Sequence, residues 1–82
     1  MIEILYFSWV RERIGEPRES LKTSAEDVIA LVEELRKKDA RYAMAFSDLS
    51  ALRVAVDQNL VDFDAPLKNA KEVAFFPPMT GG

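Results

Sequence analysis

Side chains able to do chemistry are scarce in this sequence. It has no Cys and no His, which removes disulfides, thiolate metal sites, a Cys nucleophile and the usual general base near neutral pH. Asp57, Asp62 and Asp64 lie close together, and grouped carboxylates can do acid–base or metal work. Their setting is turn-rich, however, and Asp belongs in turns as a solvated residue; that is the reading adopted. Thr23 and Ser24 have no base to activate them and are read as helix caps, not nucleophiles. Arg36-Lys37-Lys38 is a cationic run suited to a helix C-terminus. The glycines are Gly15, Gly81 and Gly82, which make no phosphate-cradling loop.

What remains is the end of the chain. Val73 to Phe76 is apolar and strand-like. Pro77-Pro78 stops it, because proline fixes φ and donates no N–H, and a stiff extended arm is expected there. Met79-Thr80-Gly81-Gly82 reaches about 13–14 Å beyond it. Gly81 and Gly82 carry no side chains, so the arm is thin enough for a narrow channel. The reactive group at its tip is the α-carboxylate of Gly82. A carboxylate is a poor electrophile. Adenylation by ATP turns it into a mixed anhydride with a good leaving group, and sulfur transfer then gives a thiocarboxylate, a soft nucleophile on a tether. The body supplies recognition and the tip carries the group, the division of labour of a carrier. No residue of the chain need be an acid or base, since a partner enzyme can supply them. The chain is therefore not expected to be an enzyme on its own.

The elements that must position this tip follow from periodicity. The 82 residues make one domain, read as a globular body at 1–78 and a flexible tail at 79–82. Hydrophobic residues at 49% and charged residues at 30% fit a folded domain and exclude disorder. Ile2, Ile4 and Tyr6 alternate with Glu3, Leu5 and Phe7 as a strand. Both faces carry apolar residues, so the second face is expected to be covered near Leu5 and Phe7. Trp9 to Ile14 reads as a short helical turn ending at Gly15 and Pro17. Arg18 to Lys22 reads as a short strand, hairpinned to the first, with Leu21 inward. Thr23-Ser24-Ala25-Glu26 matches a capping box, and Val28, Leu31, Val32 and Leu35 form one helical stripe. A helix over about 24–38 is predicted. Ala40 to Phe46 is read as a second short helix anchored by Tyr42, Met44 and Phe46. Leu52, Val54 and Val56 alternate as a strand, Asp57-Gln58-Asn59 turns, and Leu60-Val61 returns. Asp62 to Glu72 is loop-like, and Val73 to Phe76 is the last strand.

The predicted class is α+β, a mixed β-sheet packed on one long helix plus short helices. The element order is that of a ubiquitin-like β-grasp, whose usual solution makes the terminal strands central parallel neighbours. If the helical stripe covers the Ile4/Tyr6 and Val73/Phe75 faces, Phe7 and Phe76 point away from it. Exposed aromatics of that kind mark an interaction site. The alternatives are that both are second-layer core under a loop, or that a bulge exchanges Phe75 with Phe76.

The net charge of −3 makes a poor phosphate-backbone binder, so no nucleic-acid partner is expected. No apolar run approaches the ~18 residues of a membrane span. Met1-Ile2-Glu3-Ile4 lacks a basic leader and a cleavage site, and a cytoplasmic location is expected. No metal or bound cofactor is expected.

Val73-Ala74-Phe75-Phe76-Pro77-Pro78-Met79-Thr80-Gly81-Gly82, preceded by Asp62-Phe63-Asp64-Ala65-Pro66-Leu67, closely resembles the sulfur carrier (small) subunits of molybdopterin synthase. Leu5-Tyr6-Phe7, Val10-Arg11-Glu12 and Gly15 also resemble that family, and the similarity runs through the whole chain. The tail motif is specific, whereas a bare Gly-Gly is shared by all ubiquitin-like modifiers. The resemblance implies a role in molybdenum cofactor biosynthesis. An E1-like adenylyltransferase, using ATP, would activate the terminal glycine and a sulfurtransferase system would load it. The large, catalytic subunit would then accept the tail within a heterotetramer, and two sulfur deliveries to cyclic pyranopterin monophosphate would build the molybdopterin dithiolene. Carried over, Gly82 bears the sulfur, Gly81 and Thr80 insert with it, and Phe7, Leu60 and Phe76 form the apolar partner-binding surface. Asp57 stands where the family often has Asn, and Trp9 is unusual there, either packing under the short helix or joining the partner surface. The rivals are a ubiquitin-like sulfur carrier for thiamine or tRNA thiolation, a protein-conjugating modifier, and a plain binding module. The Phe-Phe-Pro-Pro-Met-Thr-Gly-Gly ending speaks against the first.

Overall fold

The structure, a computed structural model, describes residues 1–78. The expected tail, 79–82, with the candidate residues Thr80, Gly81 and Gly82, lies outside the described residues. Period-two alternation makes Ile2–Tyr6 the strand β1, with Ile2, Ile4 and Tyr6 buried. The helix α1 spans Ser8–Ile14 and buries Val10 and Ile14. It stops at Gly15, whose φ of 91° lets its N–H reach the Arg11 carbonyl at 2.7 Å, a left-handed cap that suits glycine. Strand β2, Arg18–Leu21, returns antiparallel to β1.

Helix α2 spans Val28–Arg36 and buries Val28, Leu31, Val32 and Leu35, the predicted stripe. It is shorter than the expected 24–38, and its cap is Asp27, whose carboxylate accepts from the Ala30 N–H at 2.8 Å. The capping box at Thr23 does not form. Residues 26–28 instead bond across to the loop at 65–67: the Val28 N–H donates to the Ala65 carbonyl at 3.0 Å and the Leu67 N–H to the Glu26 carbonyl at 2.9 Å. The Thr23 hydroxyl receives the Ala25 N–H and donates to Glu34.

Helix α3, Ala40–Ala45, is capped by Asp39 and buries Tyr42 and Ala45, with Phe46 buried just beyond. Met44 is no anchor; it is 66% exposed. Residues 42, 45 and 46 share one helical face, whereas 44 lies about 200° from 42. A 3₁₀ turn at Leu49–Ala51 leads into β3, Arg53–Val56. Asp57 and Gln58 both have positive φ, 48° and 71°, as a tight hairpin turn requires. Strand β4 is Asn59–Val61, and β5 is Glu72–Phe76.

The five strands lie in the order β2-β1-β5-β3-β4, with β1 and β5 parallel at the centre and their neighbours antiparallel. One face carries the core, with Tyr6 stacked on Phe75 at 6.4 Å and Phe46 edge-on to Phe75 at 4.9 Å. This is the β-grasp arrangement. No described helix is long and apolar enough to cross a membrane.

Candidate functional site

The parallel pairing of β1 with β5 decides the geometry at the root of the tail. Tyr6 is in register with Phe75, and the Phe7 N–H donates to the Phe75 carbonyl at 3.1 Å. Because successive side chains on a strand face opposite ways, burial of Phe75 puts Phe76 on the other side. Phe75 is fully buried and Phe76 is not, so no bulge exchanges them. Phe7 is 45% exposed. The expected cover near Phe7 is therefore absent among the described residues, although Leu5 is half-buried.

At Ser8 the backbone takes a positive φ of 56°, uncommon for a residue with a Cβ, and turns at once into α1. Phe7, Ser8, Ala74, Phe76, Pro77 and Pro78 then line an open apolar groove of about 450 Å³. The two prolines continue β5 along this groove toward residue 79.

Strand register extends the same face outward. Ala74 is level with Leu5 on β1 and Ala55 on β3, and Ala55 is level with Leu60 on β4, which is 70% exposed. Phe7, Phe76 and Leu60, named from the sequence, thus share one face. At ~4.8 Å per strand they span about 14 Å. The sequence reading did not assign Leu5, Ala55 and Ala74 to this surface; alternation along each strand gives them, Leu5 from Phe7, Ala74 from Phe76 and Ala55 from Arg53. Trp9 does not join the groove lining. It is half-buried against the core, with the Arg13 guanidinium 4.6 Å over its ring.

The charges on this face are polarised. Glu3 and Glu72 are level with each other at the strand starts, while Arg53 is level with Phe76 at the tail root. Hydrogen bonds from Ser20 and then Arg18 hold the Glu3 carboxyl below its ordinary value, so that end stays anionic. The aspartates act structurally where they act at all. Asp57 accepts the Lys71 and Glu72 N–H groups at 2.9 and 3.0 Å, tying the β3–β4 turn to the start of β5. Among the described residues no three Asp or Glu side chains are grouped to hold a metal ion. The arrangement offers an apolar platform from which a proline-stiffened segment emerges.

The ThiS family profile matches residues 4–82. The "Molybdopterin synthase sulfur carrier subunit" of Escherichia coli is 43% identical over 82 residues, covering all of both chains. Among solved structures, SAMP1 from Haloferax volcanii superposes with a TM-score of 0.78 at 17% identity, over 99% of this chain and 98% of that one. A chain from the complex of subunits 1 and 2 of molybdopterin-converting factor from Helicobacter pylori gives 0.65 at 24% identity, over 99% and 97%. Both likenesses show the ubiquitin-like fold. Matched by the profile nearly end to end, and coextensive with its Escherichia coli relative, the chain belongs to the ThiS family and is related within it to the molybdopterin synthase sulfur carrier subunits.

Proposed function

We propose that this chain carries sulfur on Gly82 as the small subunit of a molybdopterin synthase in molybdenum cofactor biosynthesis. The observation that carries the reading is the full-length match, through residue 82, to relatives named for sulfur carriage. The tail root fits it: β5 is locked between β1 and β3, and Pro77-Pro78 leaves that frame beside an apolar groove.

In this scheme the Gly82 carboxylate attacks the α-phosphorus of ATP on an E1-like adenylyltransferase and expels pyrophosphate. A sulfur donor then displaces AMP to give the thiocarboxylate. The tail enters the large subunit, which supplies the acids and bases. There the sulfur bonds to a carbon of cyclic pyranopterin monophosphate. Water then cleaves the link to the glycyl carbonyl and regenerates the carboxylate. Two such deliveries make the dithiolene. Gly81 and Thr80 enter the channel with the tip; Phe7, Leu60 and Phe76 dock the body, within a heterotetramer built on a large-subunit dimer. No cofactor is held by the chain itself.

Intact-mass analysis after incubation with ATP, the adenylyltransferase and a sulfur donor tests this. One oxygen should be replaced by sulfur at Gly82, and a chain lacking Gly82 should fold normally yet take up none. An unchanged mass in the full chain, or equal sulfur uptake without Gly82, overturns the proposal. Isopeptide-linked adducts of Gly82 with lysines would instead make it a protein modifier.

A further inference from the structure

Resting on the docking of this face to the large subunit, we infer that Arg53 is a specificity-determining residue that receives a carboxylate from that partner. Arg53 begins β3 in register with Phe76, and Ala55, the next residue on its face, is level with Leu60. Same-face neighbours on adjacent strands are within reach of long side chains. A body covering both Phe76 and Leu60 therefore comes to rest against Arg53.

The guanidinium is held in advance and left half used. Nη1 donates to the Leu52 carbonyl at 2.8 Å and reaches the Ser50 carbonyl at 3.5 Å. Nε and Nη2 make no hydrogen bond among the described residues, so one edge of the planar fork is open for a two-point carboxylate contact. Four other arginines are engaged: Arg18 pairs with Glu3, Arg36 with Glu33 and Arg41 with Asp39, while Arg13 covers Trp9; Arg11, also without an ion pair among the described residues, lies on α1 and not on this sheet face. Asp62 is the acidic residue that shares a hollow with it. It lines, together with Arg53, an open hollow of about 520 Å³ formed with Leu49, Leu52, Val61 and Phe63, but the two make no ion pair. Covering this cation without an opposing charge would leave it desolvated and unpaired, a heavy penalty. The partner must supply the anion.

Titration calorimetry of the purified large subunit against the full chain and its Arg53→Ala, Arg53→Lys, Arg53→Glu and Phe76→Asp variants tests this, with circular dichroism confirming each fold. Arg53→Ala should weaken binding at least about tenfold, the range for truncating one member of a desolvated charge pair. Arg53→Glu should weaken it further. Arg53→Lys should fall between Ala and the native residue, since a point charge lacks the fork. If Phe76→Asp weakens binding while Arg53→Ala and Arg53→Glu stay within twofold, the inference fails and the docking reading stands. If Phe76→Asp also binds normally, the docking reading fails and takes the inference with it. An Arg53 effect confined to the adenylyltransferase overturns the assignment to the large subunit.

Discussion

Glu19 on β2 accepts hydrogen bonds from the Tyr6 and Tyr42 hydroxyls at 2.9 and 2.7 Å and from Lys38 Nζ at 2.7 Å. Glu19→Ala removes the acceptor of all three bonds at once. Both tyrosines are buried, so each hydroxyl would keep its desolvation penalty without its bond, about 1–3 kcal/mol apiece. Lys38 is partly exposed and turns to water, adding little. The expected loss is about 2–6 kcal/mol, set against a total of about 4–12 kcal/mol for a chain this long. Urea unfolding followed by circular dichroism should show a lower midpoint at unchanged slope. A loss under about 0.5 kcal/mol would refute the assignment of this cluster as a tie between β1, β2, α3 and the turn that precedes α3.

The pH profile supplies a second reading of the same cluster. Burial works against the Glu19 charge, but the hydrogen bonds from Lys38, Tyr42 and Tyr6 outweigh it and hold the carboxyl below its ordinary 4.5. Such a group contributes stability above its unfolded pKa and loses it as the pH falls through the lower folded value. The tyrosines shift the other way. Burial first, and then the bond to Glu19, raises both phenols above their ordinary 10, and the Glu19 bond raises Lys38 above 10.5. Their contributions are complete below the unfolded values and are lost as the pH climbs toward the folded ones. Stability should plateau between about pH 5 and 9.5 and fall on both sides. In Glu19→Ala both arms should become shallower; an unchanged profile would contradict the geometry.

Two further substitutions separate the two sides of the sheet. Phe75→Ala should cost about 3–5 kcal/mol in chemical unfolding, because it empties a filled core position against Tyr6 and Phe46. Phe76→Ala should cost only about 1 kcal/mol while still weakening large-subunit binding; equal losses of stability would mean the faces are misassigned. Gly15→Ala should destabilise by about 1–2 kcal/mol, since an L side chain resists the left-handed backbone there. The new Cβ would also stand 3.3 Å from the Arg41 Nη1 that donates to the Ile14 carbonyl. A thermal midpoint unchanged by Gly15→Ala would show that the cap relaxes freely.

The central strands and the helical stripe were legible because strong periodicity and backbone sterics act locally there. Ile2, Ile4 and Tyr6, or Val28, Leu31, Val32 and Leu35, state their face without help from distant residues. Asp57-Gln58 likewise announces a turn. The start of α2 was not legible, since Thr23 and Asp27 are both good caps. The choice between them falls to loop 65–67, about forty residues away, which takes up the backbone groups of 26–28. Met44 was misread because i, i+2, i+4 spacing is a strand period applied to a helix. Of the docking face, Phe76 was legible from its neighbour Phe75. Phe7 was placed on the same side by alternation, but whether a loop covers it was not legible, because that depends on the chain turning at Ser8 instead of folding back over the sheet.

That separation divides the two sides of the sheet by task. The bonds that stabilise the body lie on the helix side and at the β2 edge: the Phe75 stack, the Glu19 cluster, and the Arg36 guanidinium on the Phe46 carbonyl that ties α2 to α3. The opposite face contributes two alanines, Ala55 and Ala74, the half-buried Leu5 and the exposed Leu60. Since period-two alternation assigns adjacent residues of one strand to opposite jobs, Phe75 can be fixed by packing while Phe76 answers only to what docks on it. Substitutions on the open face therefore retune recognition at small expense in stability. Substitutions one residue along the same strand remove core packing and unfold the sheet itself.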